Sequence, residues 1–383
     1  MSQVEQHINL DDFRAMAKKR LPRMIFDYLD GGADDEVTLR RNREAFSNYQ
    51  LMPRTLRDVG QIDLSTSVLG QNIDLPILLS PTGQTCMFHH SGEAAVVRSA
   101  AKANTIYTLS SLSSTSIEAV AAASSGPKWF QIYVWRDRHI TKEFIARCRD
   151  SGYHGLCLTV DLPVHGNRER DLRNGLTFPA SLTARTAVDV LRHSAWLYHY
   201  LTGPKIELAN VAASSNVAAV DQGDLMDYVS RQFDPTVNWD DAAWMIEQWG
   251  GPFLIKGIVN AEDAKTAVEI GASGIIISNH GGRQLDFMPP TIDVLPDIAR
   301  AVEGRAEILL DSGVRRGTDV IKALALGANA VMMGRPYLYA LAAGGEAGVD
   351  RMFALLRAEI TRDMALLGCA KISDLTSDFI HYP

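Results

Sequence analysis

Gly274–Ile275–Ile276–Ile277–Ser278–Asn279–His280 is an aliphatic run that stops abruptly in a polar cluster. A short run rich in Ile, with no alternation of polar positions, reads as a strand buried on both faces. Working outward, the pattern recurs at Leu75–Thr82, Thr105–Ser111, Trp129–Val134, Leu156–Asp161, Phe253–Ile258, Glu307–Gly313 and Ala330–Arg335, which makes eight runs. Between most of them lie helix-forming segments such as Gly92–Ala103, Thr141–Cys148, Ala261–Ile270 and Thr318–Leu326. Strand alternating with helix predicts a parallel sheet, and eight such units predict a closed (β/α)8 TIM barrel.

Two parts stand outside the repeat. Residues 1–70 precede the first run and form an N-terminal helical extension: Asn9 can cap a helix carrying Phe13, Met16 and Leu21, and Gly31–Gly32 can end a second. Asp161 and Phe253 are 92 residues apart, where most neighbouring runs begin about 25–30 apart, as one βα unit requires. A long insertion after strand 4, residues 175–237, fills that gap and leaves from the barrel face where active sites are built. The whole chain, 1–383, is then one barrel domain with this insertion.

Composition narrows the function. Of the 383 residues, 46% are hydrophobic and 22% charged, which supports a large core and excludes a disordered chain. The net charge of −7 argues against a nucleic-acid binder, which needs a basic surface. Cys86, Cys148, Cys157 and Cys369 are scattered with no CxxC or Cys/His cluster, so neither a disulfide framework nor a metal site is indicated. A reducing, cytoplasmic compartment fits. The first thirty residues do not read as a signal peptide, and no segment approaches the ~20 apolar residues of a membrane span.

In a barrel, the C-terminal ends of the strands converge on one site. They carry Pro81–Thr82–Gly83, Ser110, Gln131, Tyr133, Thr159, Asp161, Lys256, Ser278, His280, Asp311 and Arg335. Polar residues where strands meet solvent explain one or two of these. They explain poorly a Lys, a His, two Asp and an Arg, because burying charge is costly. His280 with Arg283 places a base three residues from a guanidinium fork suited to a carboxylate, an arrangement for proton removal from a small organic acid. Arg168 can be a second clamp, or a surface ion pair. Asp311–Ser312–Gly313–Val314–Arg315 and Gly334–Arg335 follow strands seven and eight, between which barrels commonly bind phosphate. There is no GxGxxG after a strand and no GxxxxGK[ST], so neither a Rossmann nor a P-loop nucleotide site is indicated.

Ser278–Asn279–His280–Gly281–Gly282–Arg283–Gln284–Leu285–Asp286 resembles the signature of the FMN-dependent 2-hydroxyacid dehydrogenases and oxidases. The resemblance continues through Tyr28–Leu29–Asp30–Gly31–Gly32–Ala33, Leu109–Ser110–Ser111, Trp129–Phe130–Gln131–Ile132–Tyr133, Thr159–Val160–Asp161, Ile255–Lys256–Gly257, Asp311–Ser312–Gly313–Val314–Arg315–Arg316–Gly317 and Gly334–Arg335–Pro336. Within the family, Arg20–Leu21–Pro22–Arg23–Met24, Asn167–Arg168–Glu169–Arg170–Asp171 and the insertion look most like membrane-associated (S)-mandelate dehydrogenase, with flavin-type L-lactate dehydrogenase a close second.

The resemblance implies oxidation of an (S)-2-hydroxy acid, mandelate or lactate, to the 2-oxo acid. It implies His280 as base, Asp161 as the carboxylate holding it, Arg283 and Arg168 on the substrate carboxylate, and hydroxyls from Tyr28 and Tyr133. Lys256 would face the flavin N1/C2 edge, with Pro81, Thr82, Gly83, Ser110, Gln131, Thr159 and Ser278 lining the flavin. Electrons would pass to a quinone or cytochrome, and the assembly would be a homotetramer.

Departures from the family pattern bear on specificity. Gly83 stands where many oxidases carry Ala, Leu112 replaces a bulky aromatic, His165 takes a pocket-edge position, and Ser312 replaces a Gly with little expected consequence. Two other readings stay open: an oxygen-using oxidase or monooxygenase, and a non-redox lyase with Lys256 as Schiff base. Over Arg185 to Lys205 in the insertion, Arg185, Arg192 and Lys205, against the single acid Asp189, interleave with Val188, Val190, Leu191, Trp196, Leu197, Tyr198, Tyr200 and Leu201, a composition suited to a membrane interface. The expectation is that residues 177–215 hold the protein peripherally on the cytoplasmic face of the inner membrane. The alternatives are a helical lid on a cytoplasmic enzyme, or a disordered loop, for which the acidic Asn216–Asp234 is polar enough.

Overall fold

The computed structural model describes residues 4–175, 184–204, 206–214 and 232–382. Eight parallel strands close into a barrel in sequence order: β1 Ile77–Leu79, β2 Tyr107–Ser110, β3 Lys128–Ile132, β4 Gly155–Thr159, β5 Phe253–Ile258, β6 Gly274–Ile277, β7 Glu307–Leu310 and β8 Ala330–Met333. Each overlaps one of the apolar runs; Lys128–Ile132 and Gly155–Thr159 begin one residue before theirs, and all but Phe253–Ile258 stop short of the run's end. The predicted helices form between them, as at Gly92–Lys102, Arg138–Asp150, Ala261–Glu269 and Gly317–Ala325.

Alternation decides which side chains fill the barrel. Leu78, Trp129, Cys157, Leu254, Ile276, Leu309 and Met332 pack with one another in the interior, while Ile77, Leu79, Ile275 and Ile277 belong to the larger core under the helices. A two-stranded hairpin, Thr66–Val68 with Gln71–Ile73, closes the N-terminal end by inserting Val68 and Ile73 into the interior cluster. The backbone N–H of Leu69 donates to both carboxylate oxygens of Glu307 at 2.9 Å, which pins the hairpin there. With that end plugged and the interior filled, the C-terminal mouth is left for chemistry.

The N-terminal extension forms α1, Leu10–Arg20, and α2, Arg23–Asp30. Asn9 caps α1 as its sequence implies, accepting from the Asp12 N–H at 2.9 Å. Asp11 and Asp12 in the first turn and Lys18, Lys19 and Arg20 in the last complement the helix dipole. Gly31 follows α2, but with φ −71 it is not a left-handed cap. Its smallness is what matters there, because a Cβ would lie 2.7 Å from the Asp27 carbonyl.

Asp30, at the end of α2, gathers the extension onto the barrel. It accepts from Arg14 at 2.6 and 2.8 Å, from the Tyr339 hydroxyl at 2.7 Å and from Arg170 at 3.3 Å. Burial alone would raise this carboxyl, but Arg14 and Tyr339 bring it down to about 2. A depressed carboxylate stabilises the fold above its unfolded pKa, and that contribution is lost as pH falls through the folded value. Asp30→Asn should therefore cost about 1–2 kcal/mol at pH 7, discounted for the exposure of Arg14. The deficit should shrink between pH 4 and pH 2. Thermal unfolding of both proteins across that range checks it, and a deficit independent of pH would count against the charge network.

Candidate functional site

Local backbone geometry builds the site. The ladder between β5 and β6 slips at Gly257, between Lys256 and Ile258. Gly257 has φ +112, and a Cβ there would meet the Asp161 side chain at 2.7 Å. The slip, which only glycine accommodates at such close approach, brings Lys256 at the end of β5 beside Asp161 after β4. Past β6, His280, Gly281 and Gly282 take φ +56, +65 and +74 in succession. This left-handed turn lifts the imidazole over the mouth, and a Cβ at Gly281 would collide with Arg335 Nη1 at 2.5 Å.

The central cluster is a chain of charges. His280 Nδ1 lies 2.9 Å from Asp161 Oδ1, and Lys256 Nζ lies 4.0 Å from Asp161 and 3.3 Å from Asp311. Lys256 also donates to the Ser278 hydroxyl at 2.7 Å, which in turn accepts from the His280 backbone N–H at 3.1 Å. Burial would raise the Asp161 carboxyl, but the neighbouring His280 and Lys256 hold it below its usual range. Asp311 and Asp161 raise Lys256 despite its burial, so it is a permanent cation. Burial pushes His280 below the usual histidine value, and Asp161 only partly offsets this. At neutral pH the imidazole is therefore neutral. Because a carboxylate can only accept, the proton sits on Nδ1 and Nε2 keeps its lone pair.

A cavity of about 380 Å³ opens over this cluster, lined by Tyr28, Pro81, Thr82, Gly83, Ser110, Leu112, Tyr133, His165, Arg168, Lys256, His280, Arg283, Asp311–Arg315 and Gly334–Arg335 among others. The sequence reading is brought together with two refinements. Asp161, Gln131, Thr159 and Ser278 are not on the cavity wall but behind it: Asp161 backs His280, Ser278 backs Lys256, Gln131 accepts from the Ser110 hydroxyl at 3.0 Å, and Thr159 pairs in register with Lys256. Ser312 is not a passive replacement for glycine. Its hydroxyl accepts from the Gly281 N–H at 3.0 Å and donates to Asp311 at 2.7 Å, tying the loop after β6 to the loop after β7.

Electrostatics mark where anions belong. Burial, reinforced by Arg168, pushes the Arg283 guanidinium down to about 9, and burial brings Arg315 down to about 10 and lowers Arg335 as well. Cations held this uncomfortably are stabilised by anionic ligands. All four line the cavity wall, with Arg168 acting on Arg283 and Arg335 on both Arg283 and Arg315. Arg335 already donates to the carbonyls of Leu29, Gly31 and Gly281, and Arg283 to those of Tyr28 and Gly31, which fixes both forks. In addition, Gln131 Nε2 and Thr159 Oγ1 are buried at the mouth without a partner. A group with one phosphate and a polar heterocycle meets these needs, and FMN is such a group. Burial, with Asp161 adding, raises the Tyr133 phenol, which keeps its proton as a donor at neutral pH.

Several contributors were invisible in sequence. Phe88 stacks on Tyr28 with ring centroids 6.3 Å apart. Phe233, at the returning end of the insertion, packs edge-on against Tyr133 and His165, each at 5.1 Å. Gln284 donates to the carbonyls of Asp161 and Val164 at 3.2 and 2.9 Å, holding the loop after β4. Its position beside Arg283 in the signature was the one available signal.

A (β/α)8 barrel whose mouth joins a carboxylate-backed histidine to a cluster of buried arginines suits a flavin-dependent 2-hydroxy acid oxidoreductase. The chain belongs to the FMN-dependent dehydrogenase family, whose model matches residues 17–382. It is 43% identical to L-lactate oxidase of a Nostoc species over the full length of both chains. It is 44% identical to glycolate oxidase 3 of Arabidopsis thaliana over 97% of this chain and 95% of that one. Its structure superposes on monotopic membrane (S)-mandelate dehydrogenase with a TM-score of 0.95, at 39% identity and covering 99% and 100% of the two chains. The protein is thus an FMN-dependent enzyme that oxidises 2-hydroxy acids.

Gly83 and Leu112, read separately in the sequence, are one contact. A Cβ at residue 83 would lie 3.2 Å from the Leu112 carbonyl and 3.3 Å from its Cβ. Gly83→Ala should cost about 1 kcal/mol through overpacking. Leu112→Gly in the same chain, which removes that Cβ, should recover part of that cost in a double-mutant cycle of unfolding free energies. Simple additivity would contradict the contact.

Proposed function

We propose that the substrate is an (S)-2-hydroxy acid with an aromatic or branched substituent, mandelate in preference to glycolate. In this reading His280 takes the proton, Asp161 holds the imidazole, Arg283 and Arg168 bind the carboxylate, and Tyr28 and Tyr133 offer hydroxyls to it or to the reacting oxygen. FMN, when bound, accepts the two electrons of the oxidation. Lys256 stands ready to neutralise negative charge that develops at the mouth, and Arg315, Arg335 and the Gly313 and Gly334 backbone would hold the phosphate. The observation that carries the reading is the neutral His280, backed by Asp161, on the same cavity wall as the paired guanidiniums. A Schiff base on Lys256 is disfavoured, because its amine is held protonated by two carboxylates.

Activity in this reading requires the neutral imidazole, so kcat/KM should fall only below a pKa lower than the ordinary histidine value of ~6.5 and stay level above it. His280→Gln should load FMN normally and lose about 10²–10⁴-fold in turnover of mandelate and glycolate alike, with mandelate the better wild-type substrate. Near-normal turnover in the variant would sink the assignment, and a wild-type preference for glycolate would sink the substrate reading.

The electron acceptor in this proposal is a membrane quinone, with a cytochrome the other dehydrogenase-type acceptor, and the protein is a homotetramer lying peripherally on the cytoplasmic face of the inner membrane. Among the described residues no helix is long and apolar enough to cross a membrane. The insertion helices Ala184–Arg192 and Ser194–Thr202 expose Val188, Leu191, Tyr198, Tyr200 and Leu201. Trp196 is not part of that face: it turns inward, and its indole N–H donates to the Met87 carbonyl at 2.9 Å. Of the proposed 177–215 anchor, residues 177–183, 205 and 215 lie outside the described residues, as does most of the acidic stretch 216–234. The kinship with lactate and glycolate oxidases favours a second reading, in which oxygen is the acceptor. Replacing 177–215 by a Gly/Ser linker should abolish sedimentation with anionic vesicles while FMN content stays intact. Equal sedimentation of both proteins would leave the insertion as a lid.

A further inference from the structure

A second cavity, of about 460 Å³, lies between helix Ser194–Thr202, the last turn of α1 and the loop Cys86–His90 that follows β1. Three imidazoles from two elements line it in a stack: His89 on His90 with centroids 4.3 Å apart, and His90 on His199 at 4.1 Å. Trp196 and Tyr200 form another stacked pair on its wall, 5.1 Å apart, and Lys19 and Arg192 contribute cations. Burial, with His90 and His199 adding, brings His89 down to about 4, so its ring is neutral at physiological pH. Nothing in the hydroxy acid chemistry described above uses these groups.

The position of the cavity tells what it is for. Phe88 lines both this cavity and the active-site cavity, and on the active-site side it stacks on Tyr28. Phe88 is therefore common to the walls of both spaces. A ligand here sits next to the redox site without competing with substrate. The lining asks for a flat conjugated ring, for carbonyl oxygens to accept imidazole N–H groups, and for partial negative charge to face Lys19 and Arg192. An acyl chain would need a more apolar lining, and a simple anion would leave the stacked rings without a role.

We propose that this cavity binds the ring of a quinone electron acceptor, with His89, His90 and His199 as its stacking and hydrogen-bonding wall. The inference rests on the quinone reading of the acceptor and adds its site. The reaction balances: the hydroxy acid loses two electrons and two protons in becoming the oxo acid, and both quinone carbonyls gain them in becoming hydroxyls. Electrons cross from the flavin side through the Tyr28–Phe88 wall. The two protons come from solvent and are relayed to the quinone oxygens through the imidazoles, of which His90 is open to solvent. Helix Ser194–Thr202 exposes Tyr198 and Leu201, so a lipid-soluble quinone would enter beside the face proposed to meet the membrane.

The test uses FMN-loaded protein reduced anaerobically by substrate and then mixed with a short-tailed ubiquinone. His90→Leu and His199→Leu should each slow quinone reoxidation by about tenfold, the value of one hydrogen bond. Reduction by substrate and reoxidation by ferricyanide should stay within about twofold of wild type, an interaction-free difference. As a second readout, the oxidised quinone added to unreduced protein should shift the imidazole signals of His90 and His199 in wild type. Two variants on separate elements guard against one that fails to fold. Unchanged quinone rates in both variants, with a reactive wild type, would overturn the site while leaving the acceptor reading intact. A wild type reoxidised by oxygen but by no quinone would overturn the acceptor reading, and the site with it. Quinone-independent binding of anionic vesicles at these histidines would make the cavity a lipid seat and also overturn the proposal.

Discussion

One carboxylate, Asp161, organises the charges of the mouth. It is almost wholly buried, and it stays charged because His280 and Lys256 flank it. A buried charge that lost either neighbour would be costly, so the three groups stand or fall together. Everything around them serves that placement. The slip at Gly257 brings Lys256 into range, the left-handed turn at His280–Gly281–Gly282 presents the imidazole, and Gln284 holds the loop that carries Asp161. The plugged hairpin end leaves the opposite face for the site.

A second tier of charge surrounds this cluster. Arg168, Arg283, Arg315 and Arg335 are gathered around the cavity with their forks oriented by backbone carbonyls. Those carbonyls come largely from the end of α2, which explains why the N-terminal extension is part of the active site and not an appendage. Asp30 anchors α2 to Arg14 and Tyr339, and Tyr28, two residues earlier, reaches the cavity. In the proposed reading, substrate carboxylate and cofactor phosphate would balance this positive charge.

The barrel was legible because its strands are buried on both faces, and such strands need uninterrupted apolar runs whatever surrounds them. His280, Arg283 and the loops after β7 and β8 could be placed from strand-end logic alone. The role of Asp161 and the flavin edge of Lys256 came through resemblance, since spacing cannot show that residues 161 and 256 meet. What escaped was long-range. Phe88 meets Tyr28, Phe233 meets Tyr133, and Gly83 meets Leu112 only after folding. Ser312 looked neutral because its hydroxyl's partner lies 31 residues away at Gly281. Trp196 looked like an interface residue by composition, yet one hydrogen bond to Met87 turns it inward.

The central claim is that Asp161 holds His280 as a neutral base with its proton on Nδ1 and its Nε2 free. Nitrogen-15 NMR of the His280 ring in FMN-loaded, substrate-free protein at pH 7 tests this most directly. The account predicts a protonated Nδ1 and an unprotonated Nε2, with the ring gaining its second proton only below the usual histidine range. An imidazolium at pH 7, or the opposite tautomer, would contradict it.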